Sequence, residues 1–271
     1  MTDSSADLPA ELAAEAGIIV VPVTADPERE LAQGLDVAGR DLGDQAAQPE
    51  MVMAFMRAYA EVGRTLDAVV AVLLSSRLGG VVGAAREAAA RMTVMPPLEI
   101  EIVDSRSASL GLGFQALRAV ELAQQGASAS EIASALRAEL HRYHVVFFVE
   151  SLEHLQRSGR IGRSAAMIAN ALQLKPLLRI DEGQIVPYER ARTRARAMAE
   201  LTAFVRDLPA VERCAVLYAT DRNDAALLAD ALVEEAGISP AVIGIHQIGA
   251  TVAAHVGPGA LGIAVVEPDA Q

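Results

Sequence analysis

Cysteine is almost absent from this sequence, since Cys214 is the only one among 271 residues. The chain therefore cannot form an internal disulfide, which makes a reducing cytoplasm the expected setting. Cys214 lies in the apolar run 214–218, where we expect a buried structural thiol rather than a nucleophile. No apolar run reaches the roughly 18 residues of a membrane span, and the N-terminus lacks a basic-then-apolar signal. We expect a cytoplasmic protein without an integral membrane segment.

Positive charge is also scarce, because the formal net charge is -12 at pH 7. Nucleic-acid binding requires clustered Lys and Arg side chains that neutralise phosphates, so we exclude that class of protein. An anionic membrane surface would repel the chain for the same reason.

Motifs of cofactor-dependent and nucleophilic enzymes are missing as well. The sequence has no Walker loop, no dinucleotide-binding fingerprint and no serine flanked as in a nucleophile elbow. Among the five histidines, only His141 and His144 have the spacing of metal ligands, and no third ligand is near them. We therefore predict that the protein binds no metal and no cofactor.

What the sequence does contain is an alternation of apolar segments with strand and helix lengths. Hydrophobic residues make up 52% of the chain, which is enough to bury a substantial core. The alternation is typical of α/β layers with mainly parallel sheets. We predict two α/β domains, residues 1–142 and 143–271. The predicted strands are 18–23, 66–74, 98–103, 145–149, 177–180, 212–218, 241–245 and 261–266. The predicted helices are 49–62, 78–92, 107–125, 128–141, 193–206 and 222–235.

Ser75-Ser76 and Asp104-Ser105 are two polar clusters that stand where strands are predicted to end, and a third cluster, Thr2-Asp3-Ser4-Ser5, would end a strand that this sequence lacks. In open α/β sheets, ligands bind outside the carboxyl ends of the strands, where helix N-termini offer free N–H groups to anions. All three clusters are then expected to border one ligand crevice. The alternative is that these residues only cap the helices that follow them.

Residues 147–196 carry the most informative motifs of the chain. They include Leu152, Leu155, Ser158-Gly159-Arg160-Ile161, Lys175-Pro176, Gly183 and Arg192-Thr193. Three further stretches agree in the same order: residues 2–9, residues 104–109 with Gly111, and His255-Val256-Gly257-Pro258-Gly259. With these motifs, nearly the whole chain resembles the DegV family of bacterial lipid-binding proteins, which includes the fatty-acid-binding subunits of fatty acid kinase. The resemblance implies a DegV-like fold with a ligand in the inter-domain crevice.

The resemblance also implies a function without chemistry of its own. The chain would bind a long-chain fatty acid or related lipid in a buried tunnel and present its head group to a partner kinase subunit, which forms an acyl phosphate. An apolar helix before Pro176 supplies Ile168 and Leu172 as the expected lining of the acyl chain. Burial of each ligand methylene is worth about 0.8 kcal/mol. The alternative is that this apolar stripe belongs to an ordinary core.

Two departures from the family pattern concern the head group. Family members hold the carboxylate with a Thr in a Thr-Ser-Gln-Pro loop and a Ser in a Leu-Ser-Gly-Thr turn, and the matching residues in this chain are Ala46 and Gly79. One hypothesis is that backbone N–H groups at Gly79 and Gly80 hold the head group with help from Ser75 or Ser76. A second hypothesis is that the pocket has changed to accept a bulkier or less polar lipid.

A third departure lies at the start of the chain. Family members have a short apolar strand before the Thr-Asp-Ser motif, whereas this sequence begins at Met1-Thr2. We expect a recorded start codon that is too late, because the loss of a central parallel strand would expose apolar surface on its neighbours.

His255 matches the family histidine near the acyl head group. As part of a Gly-Pro-Gly loop it is expected to donate to a carboxylate, which would raise its pKa. The alternative is that it fastens the loop to the core.

Arg160 and Arg192 belong to a local basic cluster, and Arg192 falls at a matching family arginine. We predict that both dock the kinase subunit, unless the cluster is only a solvated face. The predicted head-group region comprises Ser5, Ala46, Ser75, Ser76, Gly79, Gly80, Ser105 and His255.

Two other functions remain open at the level of sequence. Ser76 or Ser105, activated by His255, would make the chain an acyl-transfer enzyme or esterase. Against this reading, no acidic residue beside His255 in the sequence is an obvious orienting group. The other possibility is a lipid-sensing regulatory protein, which the sequence does not distinguish from a carrier.

Overall fold

The computed structural model of the chain describes residues 1–23, 48–92, 97–161 and 174–269. These residues belong to two compact units. The first unit contains residues 1–23, 48–92 and 97–141, and the second contains residues 142–161 and 174–269. Ala46, Ile168 and Leu172 lie outside the described residues.

The first unit alternates strands with helices. Its strands are β1 Thr2–Asp3, β2 Val20–Val21, β3 Ala68–Leu73 and β4 Glu99–Asp104. Its helices are α1 Ala10–Glu15, α2 Pro49–Val62, α3 Val81–Arg91, α4 Leu110–Gln124 and α5 Ala129–Glu139.

Parallel pairing in the first unit agrees with the prediction. β1 pairs in parallel with β2, and β3 pairs in parallel with β4. Two hydrogen bonds place the start of the chain beside β3: Val72 N donates to Met1 O at 3.0 Å, and Thr2 Oγ1 donates to Val72 O at 2.8 Å. Alternate residues of β3 pack against α2 and α3 on one face and against α4 and α5 on the other. Because both faces of β3 are covered, its sequence is almost continuously apolar.

The second unit contains longer strands and a single larger sheet. Its strands are β5 Tyr143–Phe148, β6 Lys175–Asp181, β7 Gln184–Ala191, β8 Arg213–Tyr218, β9 Ile243–Gln247 and β10 Leu261–Val266. Its helices are α6 Glu153–Arg157, α7 Arg194–Arg206, α8 Arg222–Glu234 and α9 Ala250–Val256. Each unit therefore combines helices with strands, and the predicted α/β class is confirmed.

The prediction of mainly parallel sheets is wrong for the second unit. The strand order is β7-β6-β5-β10-β8-β9, and among the described strands only β8 and β9 pair in parallel. One reason is the tight turn between β6 and β7, where Glu182 and Gly183 have φ values of 47° and 80°. A two-residue turn of this type returns the chain antiparallel. The second reason is that β10 enters antiparallel between β5 and β8.

Several helix starts follow sequence signals closely. α5 begins with a capping box made by Ser128 and Glu131. α7 begins after Thr193, whose hydroxyl accepts from Arg196 N at 3.1 Å. By contrast, the sequence did not predict α9, which has seven residues. In the described part of the chain, every helix falls short of the length and apolarity of a membrane span.

Candidate functional site

Asp3 is the centre of the polar cluster that follows β1. Its side chain is fully buried. One carboxylate oxygen accepts from the backbone N–H and the hydroxyl of Ser5, and the other accepts from Leu74 N at 2.8 Å. Burial raises the pKa of Asp3, although these hydrogen bonds act in the opposite direction. Because Leu74 directly follows β3, Asp3 ties the end of β1 to the end of β3.

The serines after β3 are tied in turn to the end of β4. Ser75 N donates to Ser107 O at 3.0 Å, and Ser76 N donates to a carboxylate oxygen of Asp104 at 3.2 Å. The structure thus brings the three predicted polar clusters together at the carboxyl ends of β1, β3 and β4. We refer to this group of residues as the strand-end cluster.

Hydroxyl groups in the strand-end cluster make local contacts. Ser5 Oγ donates to Asp3, and Ser75 Oγ accepts from Arg77 N at 3.2 Å. Ser105 Oγ donates to Ser107 O at 3.2 Å and accepts from Ser107 N at 3.1 Å. These hydroxyl groups are therefore occupied by contacts with residues two positions away in the sequence.

The N-terminus of α3 follows the Ser75-Ser76 part of the strand-end cluster in the chain. Gly80 is the N-cap residue, and as a glycine it has no side chain that could cap the helix. The first N–H groups of a helix have no intrahelical acceptor. A Cβ added at Gly80 would meet no atom within 4 Å. Gly79 N, in contrast, already donates to Ser75 O at 3.2 Å. Ser107 was not predicted from the sequence, and its buried hydroxyl has no hydrogen-bond partner among the described residues.

His255 lies in the second unit, in the last turn of α9 rather than in the Gly-Pro-Gly loop that was predicted for it. Burial and the nearby Arg160 lower its pKa from 6.5 to about 4, so the imidazole is neutral at pH 7. Its Nδ1 atom is buried and has no hydrogen-bond partner in the described part of the chain. The imidazole therefore has a polar atom that could contact a ligand.

The two predicted docking arginines differ in their surroundings. Arg160 is half-buried and donates from Nη1 to Ser158 O at 2.6 Å. Arg192 is exposed and lies between the end of β7 and Thr193, the N-cap residue of α7. Arg160 therefore belongs to the surroundings of His255, whereas Arg192 has the exposure that a docking residue needs.

A charged network that the sequence analysis missed lies directly after β5. Glu150 pairs with Lys175 at the start of β6 and, at 2.7 Å, with Arg194 at the start of α7. Arg194 also pairs with Asp224 in α8 and donates to Gly259 O at 2.8 Å. Glu150, Lys175, Arg194 and Asp224 form the Glu150 network. The signals in the sequence were an acidic residue at the end of an apolar strand and the only lysine of the chain.

In residues 1–23, 48–92, 97–161 and 174–269, no three His, Cys, Asp or Glu side chains are grouped to hold a metal ion. His144 pairs with Glu267 at 2.6 Å, and His141 Nδ1 lies 3.1 Å from Ala138 O. Cys214 is buried, as predicted, and burial raises its pKa to about 12. A reactive thiolate is therefore not available at neutral pH.

Known protein families and curated proteins match this chain along almost its whole length. The family model of the DegV family, described as uncharacterised proteins, matches residues 1–268. A DegV domain-containing protein of Streptomyces coelicolor is 34% identical over 98% of this chain and 96% of its own length. A DegV domain-containing protein of Mycobacterium tuberculosis is 36% identical over 98% of this chain and 95% of its own length.

Solved structures agree with these sequence relatives. A DegV family protein from Thermus thermophilus, described by its fatty acid binding, has a TM-score of 0.81 at 30% identity and 98% coverage of both chains. DegV of Bacillus subtilis, described as a fatty acid binding protein, has a TM-score of 0.77 at 27% identity, again with 98% coverage of both chains. The DegV-like fold inferred from the sequence motifs is thereby confirmed. This chain belongs to the DegV family.

Proposed function

We propose that this chain binds a long-chain fatty acid, or a closely related lipid, in a buried tunnel and presents the head group to a partner kinase subunit for acyl phosphate formation. The observation that carries the proposal is the similarity to the fatty-acid-binding protein of Thermus thermophilus, at 30% identity over 98% of the chain. The chain itself performs no chemistry, because the ATP-dependent step belongs to the partner.

Binding energy for such a ligand comes mainly from its hydrocarbon chain. Each methylene removed from water contributes about 0.8 kcal/mol, so a long tail supplies more free energy than the polar end does. Ile168 and Leu172 are the proposed lining of the tail. The polar end then serves mainly to fix the orientation of the ligand.

Backbone N–H groups at the start of α3 are the proposed donors to the head group in the first unit. Gly79 N already donates to Ser75 O, so Gly80 and the residues that follow it are the proposed donors. The positive end of the α3 dipole favours a carboxylate at this place. Ala46 and Gly79 are smaller than the family's Thr and Ser, and the alternative of a bulkier lipid head follows from that difference.

His255 is the proposed donor in the second unit. A neutral imidazole carries one N–H donor and one acceptor, so it can donate to a carboxylate without first taking up a proton. A buried polar atom without a partner costs about 1–3 kcal/mol, and a hydrogen bond from Nδ1 to the head group removes that cost. The negative charge of the head group would then raise the pKa of His255 from its low value.

Two observations support a carrier over an acyl-transfer enzyme or esterase. Ser105 Oγ donates to the backbone of Ser107 rather than to a base. In the described part of the chain, no carboxylate accepts a hydrogen bond from Nδ1 of His255. A serine nucleophile needs a base beside its hydroxyl and a group that orients the base. No specific observation favours a lipid sensor over a carrier.

Mass spectrometry of lipid extracted from the purified protein tests the proposal. We expect free long-chain fatty acid as the main bound species. A different lipid class as the main species would support the changed pocket and contradict recognition of a carboxylate by α3. If no lipid copurifies and the delipidated protein binds no fatty acid, the proposed function is wrong.

A second measurement tests the head-group role of His255. We expect His255→Gln to weaken fatty acid binding to the delipidated protein by about tenfold, which corresponds to about 1.4 kcal/mol. His141→Gln is the matched control, because His141 is exposed and its Nδ1 lies 3.1 Å from the backbone carbonyl of Ala138. Equal affinity in both variants would show that His255 is only a structural histidine.

A further inference from the structure

The Glu150 network lies where four segments of the second unit meet. Glu150 follows β5, Lys175 begins β6, Arg194 begins α7, and Asp224 lies in α8. Burial alone would raise the pKa of Glu150, but hydrogen bonds from Lys175 and then Arg194 lower it, so the carboxylate is charged at pH 7. The guanidinium of Arg194 also lies 5.0 Å from the centre of the Phe148 ring. Arg194 thus contacts four groups, namely Glu150, Asp224, the Gly259 carbonyl and the Phe148 ring.

The segment Gly257-Pro258-Gly259 is held by this network. Arg194 Nη1 donates to Gly259 O at 2.8 Å. A Cβ at Gly259 would lie 2.7 Å from Glu150 Cγ, and a Cβ at Gly257 would lie 2.4 Å from His154 Cδ2. The φ values of the two glycines are +79° at Gly257 and +78° at Gly259. The segment is therefore fixed by a hydrogen bond at one end and by close packing at both ends.

The position of His255 depends on the same segment. His255 precedes Gly257 by two residues and lies in α9, which packs against α6. Arg160 follows α6, and its backbone N–H donates to Leu155 O at 3.0 Å. The end of α9 carries His255, and the residues after α6 carry Arg160. The contacts that fix α9 against α6 therefore also set the distance between the imidazole and the Arg160 side chain.

We infer that Glu150 and Arg194 are positioning residues for His255: their ion pair holds the segment Gly257-Pro258-Gly259, and this segment holds the imidazole beside Arg160. Neither residue needs to touch a ligand. The inference rests on the proposed function only where it treats His255 as a contact of the lipid head group.

Two variants disturb the ion pair with little change in size. Glu150→Gln places an amide NH₂ against two cationic donors, so at least one of its contacts with Lys175 and Arg194 is lost. Arg194→Lys keeps the charge but lacks the fork that serves Glu150, Asp224 and the Gly259 carbonyl together. Glu153→Gln and Arg179→Lys are the matched controls, because each belongs to an exposed ion pair in the same unit.

Two readouts distinguish positioning from a general structural role. The first is the pKa of His255 in the ligand-free protein, followed by NMR and assigned with His255→Gln. Release of the segment admits water to the imidazole, so we expect this pKa to rise by about one pH unit or more in both variants. The second is the affinity of the delipidated protein for oleate, which we expect to fall by about tenfold or more. Neither control should change either readout.

The outcomes separate the inference from the proposed function. If both variants melt at lower temperature but keep the wild-type titration of His255 and the wild-type affinity for oleate, the ion pair is only structural and the inference fails. If the titration shifts but the wild-type protein binds no oleate, the positioning role stands and the proposed function fails. Should Arg194→Lys not fold, Glu150→Gln decides alone, because it leaves the packing volume unchanged.

Discussion

The strand-end cluster of the first unit and the surroundings of His255 in the second unit are built from different chemistry. In the strand-end cluster, hydroxyl groups bond to nearby residues, and the buried Asp3 carboxylate accepts from Leu74 N at the end of β3. In the second unit, beside the segment that follows His255 and α9, full charges on Glu150, Lys175, Arg194 and Asp224 pair with one another, and Arg194 donates to Gly259 O. The first arrangement is followed by the N-terminus of α3, whose first N–H groups have no intrahelical acceptor. In the second unit, one imidazole nitrogen is left without a partner among the described residues.

The glycines of the two regions show the same difference. Gly80 has no atom within 4 Å of the place where a Cβ would stand, whereas at Gly257 the His154 ring occupies that place at 2.4 Å. Gly80 therefore keeps the backbone accessible, and Gly257 permits close packing. The start of α3 is thus the more open of the two places, and the residues after α9 are the more closely packed.

The largest expected effect comes from Gly257→Ala. The added Cβ must coexist with the His154 ring, and an alanine is strained at a φ of +79°. We expect the free energy of unfolding to fall by about 2–4 kcal/mol. Urea denaturation followed by circular dichroism measures this change.

Gly80→Ala is the matched control for this prediction. Its φ is -80°, and open space surrounds the new methyl group, so we expect a loss of about 0.5 kcal/mol or less. If the two variants are equally stable, the packing of Gly257 against His154 does not contribute as described.

The second expected effect is a dependence of stability on pH that arises from His255. Its pKa is about 4 in the folded chain and 6.5 in the unfolded reference, so between these values the unfolded chain binds a proton that the folded chain does not. Stability therefore falls as the pH falls from 6.5 to 4. The loss is about 1.4 kcal/mol for each pH unit and about 3–4 kcal/mol in total.

Comparison of the wild type with His255→Gln isolates this contribution. His246 also has a pKa lowered by burial, and its contribution cancels in the difference between the two proteins because both retain it. We expect the wild type to lose more stability than His255→Gln between pH 7 and pH 4 in urea titrations. Parallel stability curves for the two proteins would contradict the lowered pKa.

Much of the fold could be predicted because its signals are local. The turn at Glu182-Gly183 and the cap at Thr193 are set by residues adjacent in the sequence, and the helix predicted over 193–206 is found as α7 Arg194–Arg206. The antiparallel insertion of β10 between β5 and β8 was not predictable in the same way. It depends on pairing between strands far apart in the chain, and the residues of Leu261–Val266 are equally apolar in either orientation.

The residue types of the candidate site could be predicted from the sequence, but its hydrogen bonds could not. The sequence places Ser75, Ser76 and Ser105 after strands, and the structure places them at the carboxyl ends of β3 and β4. Which polar atoms remain without a partner depends on neighbours distant in sequence. Ser107 and the Glu150 network were missed for that reason, since no spacing rule connects Glu150 with a residue 44 positions later.

The smallest expected effect concerns Arg192 and the proposed kinase subunit. Arg192 is exposed and has no ion-pair partner within the described residues, whereas Arg196 pairs with Glu200 at 2.5 Å. An exposed charge at the rim of an interface acts mainly on the association rate, so we expect Arg192→Ala to weaken binding of the kinase subunit by about threefold. The difference should disappear in 0.5 M salt, because screening removes interactions between exposed charges. Surface plasmon resonance with an ATP-using fatty acid kinase subunit from the same organism measures both values. Arg196→Ala removes the same charge from a paired residue, and an equal loss in this variant would show that net charge, not Arg192, governs the association.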